Sequence, residues 1–213
     1  MSRTREWRGA GGPEVWDRRA ASYHRQLRLE RHAVRAALEL LAPQPNERLL
    51  DAGAGTGEAL RQLARARDRP RAVTAVDFSP RMLARLPGLP IGWTSELADL
   101  REIPRPDASF DAAIASYVLH LLPSRDLPVA LSELRRVLRP GGRLVTVTPA
   151  VPPSGLARRV AAVLERAAWA SPVHLGGLHA LDPHAALAAA GFSARTVRWN
   201  VSGYPSLCVL STR

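Results

Sequence analysis

A chain of 213 residues that is 46% hydrophobic is long enough for one domain with a full core and too apolar to be disordered. No stretch reaches the roughly 18 apolar residues of a membrane span, no apolar run follows the basic start MSRTREWRGAGGPEVW to make it a secretory signal, and the single cysteine, Cys208, has no partner for an internal disulfide. A soluble cytoplasmic protein is expected, and its formal charge of +11 comes from 30 basic residues that are all arginine and spread along the chain, a pattern of codon usage and solvated faces that argues against a nucleic-acid surface.

Residues 1–13 read as a flexible N-terminus and residues 14–213 as one domain. From Glu14 to Leu41 apolar residues recur at helical spacing without an internal proline, which predicts one or two helices, a helical lid over 14–42. PQPN then breaks the pattern, and strands and helices alternate through a core at 47–149. RLLDA (Arg48–Ala52) reads as a buried strand, Glu58–Arg67 as a helix, Ala72–Asp77 as a second strand, and Ser79 with Pro80 as the cap and first position of another helix. A third strand is expected near IGWTSE and a fourth over Phe110–Ser116. An amphipathic helix follows, stopped by Pro140-Gly141-Gly142, and then a fifth strand over Arg143–Thr148. Residues 150–180 hold a further helix, read as a cap, and 181–213 a short helix (Asp182 as cap, Pro183 first, Gly191 as stop) with two closing strands. Such alternation means a parallel sheet covered by helices on both faces.

The chemistry concentrates in LLDAGAGTGEAL, where Gly53, Gly55 and Gly57 link a strand to a helix. The dinucleotide fingerprint needs a glycine or alanine where Glu58 stands, and no Gly-Lys-Ser/Thr follows for a phosphate-cradling loop. A helix N-terminus would welcome a pyrophosphate, but Asp51 and Glu58 beside it would repel one. They suit a phosphate-free ligand with a positive ammonium and a positive sulfonium, such as S-adenosylmethionine. Asp77, at the end of the second strand, can accept bonds from ribose hydroxyls; Asp99 and the Leu100 N–H can meet an adenine ring.

On these residues the chain resembles the class I S-adenosylmethionine-dependent methyltransferases, in the broad group of ubiquinone- and menaquinone-type small-molecule enzymes (type 11). LLDAGAGTG is similar to that family's first motif and VDFSPRML to its second. ADLREIPRPDASFDAAIASYVLHLLP is similar to the stretch from the adenine-side acid through the fourth strand, and ALSELRRVLRPGGRLVTVTP to the closing helix and strand. The resemblance covers Glu47 to Pro149 and, more loosely, Asp182 onward. It implies a Rossmann-like α/β fold with a seven-stranded, mostly parallel sheet in the order 3-2-1-4-5-7-6, the seventh strand antiparallel. It also implies a cofactor site of Asp51, Ala52, Gly53, Gly55, Gly57, Asp77, Phe78, Met82, Asp99, Leu100 and Ser116. WDRRAASYHRQL is similar to the family's opening helix, which often carries a Tyr-Asp pair; here Tyr23-His24 stands instead, giving both residues a candidate role over the cofactor.

Methyl transfer from a sulfonium needs alignment and exclusion of water and no metal. The acceptor side is expected where SYVLHLL leaves the fourth strand, with Ser116, Tyr117 and His120 facing it. His120 is the candidate base, with an ordinary pKa near 6.5. His174, His179 and His184 recur at a spacing that does not share one face, so no metal site is expected. Cys208 reads as core, against nucleophilic chemistry. The acceptor is expected to be a small molecule: a quinone, a lipid-like compound or a secondary metabolite. An RNA or protein methyltransferase and a non-catalytic cofactor-binding scaffold are the alternatives.

Overall fold

The computed structural model describes residues 8–200 and 202–213. Its strands are β1 (Arg48–Ala52), β2 (Ala72–Asp77), β3 (Trp93–Leu97), β4 (Phe110–Ser116), β5 (Leu138–Pro149), β6 (Ser193–Asn200) and β7 (Ser206–Thr212). Its helices are α1 (Pro13–Arg19), α2 (His24–Leu41), α3 (Glu58–Arg65), α4 (Pro80–Leu83), α5 (Leu127–Val137), α6 (Gly155–Ala170), α7 (Pro172–Leu175) and α8 (His184–Ala189). The seven strands form one sheet in the order β3-β2-β1-β4-β5-β7-β6, the order the family resemblance implies. β7 runs antiparallel to both β5 and β6, and the remaining pairs are parallel. The order reverses between β1 and β4, which opens a crevice beyond their carboxyl ends, where open α/β sheets bind ligands.

Period-two alternation builds the core on both faces of the sheet. Leu50, Ala113 and Leu144 point to one face, where they meet Leu131 and Leu134 of α5 and Leu187 of α8. Their neighbours Leu49, Ala112, Ile114 and Val145 point to the other, against Ala33, Val34 and Ala37 of α2 and Leu60 and Leu63 of α3. Each fully buried leucine contributes about 1.5–3 kcal/mol relative to an exposed one.

Three boundaries differ from the sequence reading. Helix α3 ends at Arg65, two residues early, with a 3-10-type bond from Ala66 N–H to the Leu63 carbonyl. Helix α5 ends at Val137, and Pro140-Gly141-Gly142 lies inside β5, where pairing with β4 jumps from Phe110–Leu138 to Ala112–Arg143 and the extra residues bulge out. At α8 Pro183 takes the cap position, and Asp182, one residue earlier, accepts the His184 N–H at 3.1 Å. Within residues 8–13 Gly9 and Ala10 are buried, and the Ala10 N–H donates to the Leu121 carbonyl at 2.8 Å. The rest of the expected flexible segment, residues 1–7, lies outside the described residues. No helix among the described residues is long and apolar enough to cross a membrane.

Candidate cofactor and acceptor site

The glycine turn leaves β1 at the crevice and bends back under β2, with the Gly53 and Ala54 N–H groups both donating to the Val76 carbonyl at 2.9 Å. Gly53 (φ +73°) lies where a Cβ would stand 2.5 Å from Val118 Cγ2, and Gly57 (φ +86°) caps α3 where a Cβ would stand 2.8 Å from Leu86 and Pro87. Turn geometry and close packing both demand glycine there. Gly53→Val is therefore expected to cost at least about 2 kcal/mol, from left-handed strain plus the clash with Val118, and to abolish cofactor binding; urea unfolding and calorimetry check the two halves.

Asp77 ends β2 as a hub of the turn. One carboxylate oxygen accepts the Gly55 N–H at 2.8 Å, and the other accepts the Ser79 N–H at 2.9 Å. Each oxygen keeps a second acceptor position, so the turn-holding role and a ribose-binding role are compatible. Burial pushes its pKa up, against those backbone bonds. Ser79 caps α4 through the Met82 N–H at 3.1 Å, and its hydroxyl meets Asp17 of α1 at 2.5 Å. That contact fastens the N-terminal helix over the site.

A cleft of about 430 Å³ opens beside this hub. Of the expected cofactor residues, Gly53, Asp77, Phe78, Asp99 and Leu100 line it, joined by Trp16, Val118, Arg101 and the Gly9–Pro13 segment. Asp99 is engaged by Arg101 in a bidentate ion pair with a closest contact of 2.6 Å, and Arg101 also reaches Asp126 at 2.8 Å. The guanidinium holds the Asp99 carboxyl below its usual range. The Trp16 indole N–H is buried without a partner, with its side chain on the cleft wall and the Arg19 guanidinium 5.0 Å from the ring centre. Asp51, Ala52, Gly55, Gly57, Met82 and Ser116 of the expected set are not among its walls, and Asp51, Ala52 and Met82 are buried.

Asp51, the last charged residue of β1, is fully buried, and neither carboxylate oxygen has a hydrogen-bond partner among the described residues. Burial first, and the Asp77 charge second, push its pKa up to about 7. A buried carboxyl without a donor is costly. Its natural complement is a ligand cation.

Toward the acceptor side, Ser116 ends β4 and Tyr117 follows at φ +53°, a left-handed conformation uncommon for an aromatic residue and typical of functional turns. The Tyr117 hydroxyl meets Ser206 at 2.6 Å, and its ring stands edge-on to His120 with centroids 6.3 Å apart. His120 is 2% exposed in a single 3-10 turn, and its ring nitrogens face the Gly177 backbone and His179 without a well-formed hydrogen bond. Burial pushes its pKa down to about 3. The sequence reading expected an imidazole titrating near 6.5; the enclosed position removes that titration. His120 should stay neutral, with imidazole nitrogen NMR shifts unchanged from pH 5 to pH 8. Its contribution to stability is present above the unfolded pKa near 6.5 and lost as pH falls from there toward 3, by about 1.4 kcal/mol per pH unit.

Tyr23, which precedes α2, packs against the glycine turn and contacts Glu30 of α2. The Tyr23 ring edge lies 3.6 Å from where a Gly55 Cβ would stand, and its hydroxyl reaches Glu30 at 3.4 Å. His24 begins α2, and its side chain lies outside the described residues. His179 pairs with Glu165 at 2.8 Å, while His174 and His184 bond to Ser171 and Asp182. Cys208 is buried in the core and its thiol donates to the Ala33 carbonyl. Sequence reasoning missed Trp16, Arg101 and Glu30. Only Glu30 carried a signal: it occupies the buried stripe Glu30, Ala33, Val34, Ala37 and Leu41 of an otherwise arginine-rich helix.

Residues 49–142 match a family described as methyltransferase domain. The chain is 38% identical over 134 residues to the malonyl-[acyl-carrier protein] O-methyltransferase of Serratia marcescens, a match covering 63% of this chain and 51% of that protein. It is 33% identical over 138 residues to a ubiquinone/menaquinone biosynthesis C-methyltransferase of Geobacter sulfurreducens, covering 62% and 53%. The chain thus spans about half the length of these curated relatives. In fold it is similar to a chain in the complex of the Haloferax volcanii Trm112 methyltransferase activator, with a TM-score of 0.77, 16% identity, and coverage of 95% of this chain and 97% of that one. The matched methyltransferase domain, residues 49–142, is seated on a seven-stranded sheet in the order expected of the class I S-adenosylmethionine-dependent methyltransferases, the family the chain resembles.

Proposed function

We propose that the protein transfers a methyl group to a small-molecule acceptor. The observation that carries this reading is Asp51: a fully buried carboxyl with no partner beneath a glycine turn, beside a cleft walled by Asp77 and Asp99. These residues fit S-adenosylmethionine. Asp51 would hold its ammonium, Asp77 its ribose hydroxyls, and Asp99 with Leu100 its adenine edge. When bound, the cofactor supplies a methyl on a sulfonium that is its own leaving group. The protein's share is alignment and exclusion of water. α1 and the Gly9–Pro13 segment close the adenosine side, and α6 and α7 close the other. Arg19 ties the two covers together, donating to the backbone carbonyls of Val173 (2.6 Å) and His174.

The neutral imidazole of His120 serves in this reading to orient an acceptor hydroxyl or amine at the end of β4, together with Tyr117. The relatives' names give a malonyl-[acyl-carrier protein] and a ubiquinone or menaquinone precursor as acceptors, and the quinone type is the small molecule this reading favours. No metal is required, and a cytoplasmic location fits the single reduced cysteine. Incubating the protein with methyl-labelled S-adenosylmethionine and fractionated cell extract tests the proposal. Label is expected in the low-molecular-weight fraction; label only in RNA or protein would contradict it.

A further inference from the structure

The lid carries an acidic group that the proposed chemistry has not used. Glu30, on α2, is 4% exposed, and its carboxylate accepts only from Gln26 at 2.6 Å and Tyr23 at 3.4 Å. Tyr117 from β4, Tyr204 from the loop before β7 and Glu58 from α3 are the other titratable groups that interact with it. None of these is a cation. The arginines that β5 and β6 send to α2 act further along the helix: Arg143 on the Leu41 carbonyl and Arg198 on Glu39. The Cys208 thiol from β7 takes the Ala33 carbonyl. Among the described residues Glu30 is thus a buried carboxyl without counter-charge. Tyr23 connects it to the glycine turn at Gly55 and also senses Asp77 and Tyr117. A second buried carboxyl, Asp51, stands unpartnered beneath the same turn.

We propose that Glu30, brought over the glycine turn by α2 and linked to it by Tyr23, is the positioning residue by which the site distinguishes the sulfonium of the cofactor from the neutral thioether left after methyl transfer. The inference rests on the methyltransferase reading. Two ligands differing by one charge are sorted by a fixed charge nearby, because the ammonium, ribose and adenine they share cancel in the comparison. Burial pushes the Glu30 pKa up to about 7, so near neutrality the empty site holds a proton there. Sulfonium binding favours the carboxylate and expels that proton. The thioether gives no such incentive and leaves more readily. The sign follows: below pH 7 Glu30 is neutral and preference for the sulfonium is lost; above it the preference is full.

Calorimetric titration of S-adenosylmethionine and S-adenosylhomocysteine at pH 6 and pH 8 tests this. The ratio of the two affinities should rise about fivefold in favour of the sulfonium between these values, the ceiling being near tenfold because about one carboxyl in ten is ionised a unit below its pKa. Glu30→Gln should flatten the ratio while leaving the thioether affinity within about twofold. Asp51 acts on the ammonium common to both ligands and drops out. A wild-type ratio that does not move with pH, or an undiminished rise in Glu30→Gln, overturns the inference. If Glu30→Gln fails to fold, wild-type binding at pH 7 in two buffers of different ionisation enthalpy decides. Greater proton release with the sulfonium than with the thioether, whose release comes from Asp51 alone, supports the role; equal release overturns it. Absence of S-adenosylmethionine binding at either pH would sink the methyltransferase reading itself, whereas binding with a flat ratio would sink only the role of Glu30.

Discussion

Asp51→Asn is expected to make the ligand-free protein more stable above pH 7 while weakening its hold on the cofactor. The Asp51 carboxyl is fully buried, has no hydrogen-bond partner, and has its pKa raised to about 7. A carboxyl whose folded pKa lies above its unfolded value near 4 contributes most below that unfolded value, and the contribution is lost as pH rises through the folded one. Asparagine does not ionise, so the variant's advantage grows from about pH 4 and is complete above about pH 7. Three pKa units correspond to about 4 kcal/mol, and relaxation around the site lowers the expected gain to about 2–4 kcal/mol, or roughly 5–10 °C in melting midpoint. The same change removes the charge that meets the ligand ammonium and should cost about 1.5–3 kcal/mol of binding, a loss of about 10- to 150-fold. Thermal melts at pH 5 and pH 8, with and without S-adenosylmethionine, read both effects. A variant no more stable than wild type at pH 8 would show that Asp51 is satisfied in solution.

Asp77→Ala is expected to damage both the stability of the turn and the binding of the cofactor. The side chain holds the Gly55 and Ser79 N–H groups, so its removal orphans two donors of the glycine turn as well as deleting the proposed ribose contact. Each orphaned donor costs about 1–3 kcal/mol. The protein should therefore unfold at lower urea concentration, and binding should fall by more than the 10- to 150-fold of a lost charged hydrogen-bond acceptor alone. Asp77→Asn separates the two roles. Its carbonyl can keep one backbone bond, so stability should recover in part while binding stays weak. Full affinity in a folded Asp77→Ala protein would remove Asp77 from the ribose site.

The fold was legible because its signals are local and ordered. Apolar runs of strand length, glycine and proline punctuation, and the chain order of Asp51, Asp77 and Asp99 point to one sheet and one ligand edge. Pro140-Gly141-Gly142 misled because the same dipeptide chemistry that ends helices also makes bulges, and only pairing with β4 decides between them. The site was less legible, since burial is not a sequence property. His120 reads as a neutral-range base until the Gly177 turn and His179 are folded against it, and Asp99 reads as a free acceptor until Arg101 is folded against it. Trp16 offers an unpartnered indole N–H to the cleft only because Asp17, its neighbour, pins α1 to Ser79. Glu30 lies in the buried stripe of α2 with Ala33, Val34, Ala37 and Leu41, and only that helical register separates it from the solvated charges around it.

The claim on which the account depends is that the cleft beside Asp77 holds S-adenosylmethionine and not a dinucleotide, and calorimetric titration with S-adenosylmethionine and with NAD in parallel tests it most directly. Saturable binding of S-adenosylmethionine that Asp77→Ala weakens, with no heat from NAD, is the predicted result; tight binding of NAD with no response to S-adenosylmethionine would contradict the account.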